Sequence, residues 1–167
     1  TFFSIREVLV ETPAGVQAHF YLRDAEDFSV MIPFLNEFEV IMVRQHRVGP
    51  DYISLEFPMG TALGKTPQEA ASTELAEETG YSSTDVSPVG SFYLSNSSSA
   101  QQVHVFTAKN LHEGERHLES TEMIEVLTVK WSEVGTFIKE GKIKDGPTIT
   151  AYGMYMNLYG NSAENMR

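Results

Sequence analysis

Apolar and polar positions alternate with a period of two along much of the chain, which is typical of β-strands. Short runs rich in Val, Ile, Phe and Tyr are separated by turns that contain Gly, Pro, Asn and Ser. The pattern predicts strands at residues 4–10, 16–22, 28–33, 38–43, 52–57, 86–93, 103–108 and 125–129. The first two strands flank Thr12–Gly15, so we expect them to form a hairpin.

One segment, from about Pro67 to Thr79, carries helix signals in place of the alternation. Thr66 is a good N-cap residue, and Pro suits the first helical position because its missing N–H costs nothing there. Glu69 follows Thr66 by three residues and completes a capping box. Gly80 can end the helix in a left-handed conformation. We expect its buried side to consist of small and apolar residues: Ala70, Ala71, Leu75 and Ala76.

Two further helices are predicted near the end of the sequence. One covers residues 132–140, with Ser132 as N-cap and Gly141 as the stop. The other starts at Pro147 or Thr148 and ends near Tyr159. Many strands with a few helices indicate an α/β fold with layers around a mixed sheet. Without an internal repeat or a dividing linker, residues 1–167 are predicted to form a single domain.

The amino-acid composition and net charge argue against several classes of function. The net charge of −11 argues against tight binding to a nucleic-acid backbone, which needs clustered Lys and Arg. No apolar run reaches transmembrane length, so a membrane partner is not expected. The absence of Cys excludes a disulfide framework, thiolate catalysis and Cys-based zinc sites. A cytoplasmic protein is the simplest interpretation.

Three carboxylates fall within one turn of the first predicted helix: Glu74, Glu77 and Glu78. Residues three and four apart share a helix face, so Glu74 and Glu78 should project side by side, with Glu77 next to them. Like charges at this spacing repel, and a hard divalent cation with oxygen ligands would relieve the repulsion. A solvated acidic helix face is the alternative.

The surrounding motifs resemble the Nudix hydrolase family. Glu56–Gly60 (Glu-Phe-Pro-Met-Gly), Gly64–Ala71 (Gly-Lys-Thr-Pro-Gln-Glu-Ala-Ala) and Glu74–Tyr81 (Glu-Leu-Ala-Glu-Glu-Thr-Gly-Tyr) are similar to that family's signature. Val43–Arg47 (Val-Arg-Gln-His-Arg) before this box is similar to the ADP-ribose pyrophosphatase branch. Segments 122–126 and 141–149 also resemble that branch, so the resemblance spans about residues 4–159.

The box departs from the family pattern at three points. The spacer after Gly60 is one residue shorter, Lys65 stands at the usual first Glu, and Thr73 stands at the usual Arg. Losing both partners of an ion pair leaves neither as an unpaired buried charge. One hypothesis is that Lys65 supplies positive charge near the carboxylates.

The resemblance implies a Nudix-like α/β/α sandwich with a mixed β-sheet and an N-terminal β-hairpin extension. It implies Mg²⁺ or Mn²⁺ as cofactor and water attack on one phosphorus of a nucleoside diphosphate derivative such as ADP-ribose or a nucleotide sugar. It also implies a homodimer in which residues 1–24 take part. The alternative is a Nudix-like nucleotide-binding module with weakened catalysis, which the departures at Lys65 and Thr73 would favour.

The resemblance assigns the metal ligands to the box. Glu74 and Glu78 would be the main ligands, and Glu77 would bind a second ion or a shared water. The Met59 carbonyl matches a backbone ligand, although a plain turn residue is the alternative.

Substrate contacts are assigned to two strands. Arg47 would contact phosphate or ribose, and Arg44 is a second candidate unless it is simply exposed to solvent. Glu56 would support the site or the base-ribose end of the substrate, with a structural salt bridge as the alternative.

The general base is assigned to a segment just before a late strand. Glu122 fits the family position best, and Glu119 is the neighbouring candidate. The five His residues form no HxxH or HxxxH pair, so we expect none of them to be catalytic.

Overall fold

Strands dominate the described part of the chain, residues 3–61, 63–118 and 123–160 of a computed structural model. The longer strands are β1 (Phe3–Glu11), β2 (Gln17–Ala25), β3 (Phe28–Pro33), β4 (Glu39–Arg47), β5 (Tyr52–Glu56), β8 (Asp85–Tyr93), β9 (Gln102–Lys109) and β11 (Ile124–Lys130). The short strands are β6 (Met59–Thr61), β7 (Tyr81–Ser82) and β10 (His112–Glu113). The helices are α1 (Pro67–Thr79), α2 (Trp131–Lys139) and α3 (Gly146–Tyr159).

The predicted N-terminal hairpin is present and longer than expected. Strands β1 and β2 pair antiparallel in a sheet of their own, from Phe3 opposite Ala25 to Glu11 opposite Gln17. At its base, Arg23 N donates to the Ser98 carbonyl over 2.7 Å. The Ser99 hydroxyl donates to the Arg23 carbonyl over 2.8 Å. The hairpin is therefore attached through the loop between β8 and β9.

Two larger sheets carry most of the remaining strands, while β7 and β10 pair antiparallel in a small sheet of their own. The four-stranded sheet has the order β6-β3-β9-β8, and β3 and β9 run parallel while the other neighbours are antiparallel. The three-stranded sheet has the order β11-β4-β5 and is antiparallel. The predicted mixed sheet is thus confirmed.

Strand β3 separates two apolar clusters because its successive side chains point to opposite faces. Val30 packs in the cluster that contains Val134 of α2 and Ala151 of α3. Met31 packs on the other side with Leu75 of α1. Helices therefore cover both faces, which is the predicted α/β/α layering. None of the helices in the described ranges combines the length and the apolar character that crossing a membrane requires.

Helix α1 has the bounds and the caps that the sequence predicts. The Thr66 hydroxyl accepts from Glu69 N over 3.3 Å, and the Glu69 carboxylate accepts from Thr66 N over 2.8 Å. Gly80 has φ of 79° and donates its N–H to the Ala76 carbonyl over 2.9 Å. Ala70, Ala71 and Leu75 are buried, whereas Ala76 is only partly so.

Most strand ends differ from the predictions by one to four residues, and β4, predicted at 38–43, covers Glu39–Arg47. Three differences concern the helices and the segment before α1. Helix α2 begins at Trp131 without a side-chain cap, so Ser132 as its N-cap was wrong; the Trp131 N–H donates to the Phe38 carbonyl instead. Helix α3 begins at Gly146 with Asp145 as N-cap, one residue before Pro147, the earlier of its two predicted starts. The segment after Phe57 adds strand β6, which forms only because β3 offers a partner.

We expect Thr66→Ala to lower the free energy of unfolding by about 1 kcal/mol, because the first turn of α1 loses the hydroxyl of its capping box. Thr66→Ser keeps the hydroxyl and should stay near the parent value. Urea unfolding of the three proteins measures the difference. Equal stability of the parent and Thr66→Ala would contradict the role given to the cap.

Candidate functional site

Helix α1 directs two carboxylates at the start of β6. The Glu78 carboxylate accepts from Met59 N over 3.2 Å, and Glu78 is only 4% exposed. The Glu74 carboxylate lies against Gly60, where an added Cβ would come within 2.0 Å of the Glu74 carboxyl carbon. Any side chain at position 60 would therefore have to displace the Glu74 carboxylate. The structure thus brings Glu74 and Glu78 together at one backbone turn.

Glu77 is placed differently from its two neighbours. Its side chain is exposed, whereas Glu78 is buried and Glu74 is partly buried. The Glu77 backbone carbonyl accepts from His117 N over 3.3 Å, so this turn of α1 also holds the segment after β10. Glu77 is accordingly the most accessible of the three carboxylates.

The donor set at this turn fits a hard cation. Carboxylate oxygens and backbone carbonyls are the ligands that Mg²⁺ and Mn²⁺ take in proteins. Within residues 3–61, 63–118 and 123–160, no group of three or more His, Asp or Glu side chains meets the geometry for holding a metal ion. The predicted bases Glu119 and Glu122 lie outside the described residues.

Arg47 and Glu56 form an ion pair on facing strands. Arg47 Nε donates to both Glu56 oxygens, over 2.9 and 3.2 Å, and Arg47 Nη2 makes a third, shorter bond. Glu56 is 1% exposed, while the Arg47 side chain is 40% exposed. The bond to Glu56 is the main cause that raises the pKa of Arg47. Glu56 therefore holds one edge of the guanidinium, and the rest of the group is accessible to solvent.

Arg44 belongs to the opposite face of β4. It is paired in register with Leu55, and it forms an exposed ion pair with Glu125 of β11. Residues an odd number of positions apart on a strand point to opposite faces. The structure consequently does not bring Arg44 together with Arg47 and Glu56, and the Glu125 side chain is exposed to solvent.

The two unusual box residues make only local contacts in the described structure. The Thr73 hydroxyl donates to the Glu69 carbonyl of its own helix over 2.8 Å. Lys65 is exposed before the helix. Hydrogen bonds from Thr66 lower the pKa of Glu69, and the charge of Lys65 adds a smaller contribution. The positive charge of Lys65 thus acts on the first turn of α1.

Sequence reasoning missed two residues beside this site. Asp145 caps α3, and its carboxylate accepts from Thr148 N over 2.8 Å. Burial raises the pKa of Asp145, and its charge lies within reach of Arg47 and Glu56. Thr148 is fully buried, and its hydroxyl accepts from Phe57 N over 3.1 Å. Asp145 could have been identified from the sequence, because Asp before Gly-Pro is a helix-start signal. The hydrogen bond from Phe57 to Thr148 could not, because it joins residues far apart in the sequence.

Comparison with known proteins gives concordant matches. The family model described as "NUDIX domain" matches residues 26–152. The chain is 29% identical to an ADP-ribose pyrophosphatase of Bacillus subtilis (strain 168), over 89% of this chain and 82% of that protein. It is 31% identical to a methanol dehydrogenase activator of Bacillus methanolicus, over 77% of this chain and 70% of that protein.

A third relative and a solved structure extend the comparison. A GDP-mannose pyrophosphatase of Pectobacterium atrosepticum is 32% identical over 66% of this chain and 62% of that protein. The solved structure, described as an ADP compounds hydrolase, superimposes with a TM-score of 0.84 at 17% identity and covers 96% of this chain and 88% of that one. At that identity the superposition supports the fold alone.

We expect Glu56→Gln to lower the free energy of unfolding by about 1–3 kcal/mol, because a buried partner of a charged group loses part of its bonding. The same substitution at Glu125 is a matched control, since Glu125 also pairs with an Arg from β4 but in solvent. Glu125→Gln should lower the free energy of unfolding by no more than about 1 kcal/mol. Thermal and urea unfolding of both variants measure the two values, and equal losses would contradict the difference in burial.

Proposed function

The chain belongs to the Nudix hydrolase family, and we propose that it hydrolyses the pyrophosphate bond of a nucleoside diphosphate derivative such as ADP-ribose or a nucleotide sugar. The observation that carries this proposal is the convergence of Glu74 and Glu78 on the turn at Met59 and Gly60. The relatives named as ADP-ribose and GDP-mannose pyrophosphatases support the substrate class. We further propose a cytoplasmic location, which cell fractionation tests.

We propose that Glu74, Glu78 and the Met59 carbonyl hold Mg²⁺ or Mn²⁺, with Glu77 serving a second ion or a shared water. When bound, such an ion neutralises pyrophosphate charge and lowers the pKa of a coordinated water. The Glu78 carboxylate accepts from Met59 N, and the Glu74 carboxylate lies against Gly60. Both side chains therefore already lie at the turn that carries the Met59 carbonyl.

Arg47 is the proposed contact for the substrate phosphates. Glu56 occupies Nε and Nη2, and within the described residues no hydrogen bond uses Nη1. A guanidinium held along one edge presents its other donors in a fixed direction, which suits phosphate oxygens. Glu56 thus acts by holding Arg47 in the site. Arg44 is left out of the proposed contacts, because it pairs with Glu125 on the other face.

Water activation is assigned to Glu122, with Glu119 as its neighbour. Ile124 lies opposite Gln45 in the register of β11 and β4, two residues before Arg47. Strand β11, which follows both carboxylates in the sequence, therefore begins beside the strand that carries the proposed phosphate contact. In the proposed reaction, the base takes a proton as the water oxygen bonds to phosphorus, and the bond from phosphorus to the bridging oxygen breaks. ADP-ribose would yield AMP and ribose 5-phosphate.

A binding module with weakened turnover is the competing function. It rests on Lys65 and Thr73, which replace the usual Glu and Arg. Yet the Thr73 hydroxyl is satisfied within its own helix, while Glu78 and Glu74 reach the turn through backbone contacts. The arrangement of these two carboxylates therefore does not depend on an Arg at position 73, which favours the enzyme.

The decisive experiment incubates the protein with ADP-ribose, GDP-mannose and related nucleoside diphosphate compounds, with Mg²⁺, with Mn²⁺ and with EDTA. We expect metal-dependent release of a nucleoside monophosphate. Glu74→Gln and Glu78→Gln should each lose more than the roughly 10–100-fold that removing an outer-shell partner costs. Glu133→Gln, an exposed change on α2, is the control. Tight binding without product would instead select the binding module.

We also propose a homodimer that uses the N-terminal strands. Both faces of the β1–β2 hairpin expose apolar side chains, including Leu9, Phe20 and Tyr21. Exposed apolar surface of this kind is a common feature of subunit contacts.

For the dimer, Phe20→Lys should shift the protein toward monomer in sedimentation velocity, because it places a charge on that apolar surface. Phe38→Lys makes the same change at a residue that is 74% exposed outside the hairpin, and it should leave the assembly unchanged. A monomeric parent protein, or a Phe20→Lys variant that assembles like the parent, would count against this interface.

A further inference from the structure

Four consecutive residues, 57–60, connect the end of β5 to the proposed metal ligands, and each contacts a different part of the fold. Phe57 N donates to Thr148 of α3, and the Pro58 carbonyl accepts from Met31 N of β3 over 2.9 Å. Met59 N donates to Glu78 of α1, and Gly60 lies against Glu74. The position of the turn is therefore set jointly by a strand and two helices.

Thr148 makes the contact from α3. Its hydroxyl oxygen accepts from Phe57 N over 3.1 Å, and both residues are fully buried. Thr148 N donates to the Asp145 carboxylate, which caps the same helix. The hydroxyl thus sits in the first turn of α3, and the cap fixes the backbone that carries it.

We propose that Thr148 is a positioning residue, through which the first turn of α3 sets the place of Met59 and Gly60 for metal binding. This inference rests on the proposed function, since it assumes that Glu74, Glu78 and the Met59 carbonyl hold the ion. Thr148 is fully buried and is not itself a proposed contact of metal or substrate. It acts on Phe57, two residues before Met59.

The positioning role follows from the cost of leaving the buried amide of Phe57 without a hydrogen-bond acceptor. A buried N–H that loses its acceptor is costly, so the backbone shifts toward another partner. The shift at Phe57 passes along Pro58, whose φ is fixed by its ring, to the Met59 amide and carbonyl. Ligand positions displaced by a fraction of an ångström bind the ion less well.

The test compares Thr148→Val, which keeps the shape but removes the hydroxyl, with Thr148→Ser, which keeps the hydroxyl. Val134→Ala, a buried change on α2 outside the site, serves as a comparator of similar thermal destabilisation. Mn²⁺ affinity is measured by electron paramagnetic resonance without substrate, and amide exchange of Phe57 is measured by NMR. The kcat and KM values follow on the best substrate.

We expect Thr148→Val to accelerate exchange at Phe57, to weaken Mn²⁺ binding by roughly 10-fold and to lower kcat more than it raises KM. Thr148→Ser should restore Mn²⁺ affinity to near the parent value. Val134→Ala should lower Tm without changing Mn²⁺ affinity.

Two results would overturn the inference, and they differ in meaning. If Thr148→Val has a lower Tm but binds Mn²⁺ as tightly as the parent protein, Thr148 only stabilises the fold. The proposed function then stands. If the parent protein does not bind Mn²⁺ at all, the metal assignment fails and the positioning role fails with it.

Discussion

The turn at residues 57–60 is the constraint on which the rest of the site depends. Its polar backbone groups are satisfied by Thr148 of α3, Met31 of β3 and Glu78 of α1. Buried amides and carbonyls need such partners, so the turn can settle only when both helix layers have docked on the sheet. Assembly of the fold and assembly of the candidate site are consequently the same event. The core clusters on the two faces of β3 supply the burial that drives it.

Charge is distributed unevenly around that turn. The guanidinium of Arg47 lies within the electrostatic influence of Glu56, Asp145 and Glu78, and all three raise its pKa. Burial raises the pKa of Asp145, which shows that ionising it has a cost in this environment. Glu74 adds a further carboxylate nearby. A divalent cation would offset this excess, and it would also permit an anionic pyrophosphate to approach a chain of net charge −11.

Local signals predicted local structure well. The bounds and caps of α1 follow from Thr66, Glu69 and Gly80, because each acts within four residues along the chain. The sequence could not reveal which acceptor satisfies Phe57 N, since Thr148 lies 91 residues away and the bond depends on how α3 docks. The different exposure of Glu77 and Glu78 was likewise not predictable from their spacing, because it depends on the turn that covers α1 on one side only. For the same reason Ser132 was misplaced as a cap: the contact between Trp131 and Phe38 starts α2 earlier.

The departures from the family box become intelligible in this arrangement. An Arg at position 73 would supply positive charge to the carboxylates of α1, but here Thr73 returns its hydroxyl to the Glu69 carbonyl. The Glu78 carboxylate accepts from a backbone N–H, and the Glu74 carboxylate lies against Gly60, which has no side chain in its way. A backbone N–H is neutral and is held in place by the fold. It can therefore orient a carboxylate without neutralising the negative charge that attracts a cation. A box without its Arg therefore keeps Glu74 and Glu78 in an arrangement that suits a divalent ion. What the missing Arg removes is positive charge beside these carboxylates, and not their position at the turn.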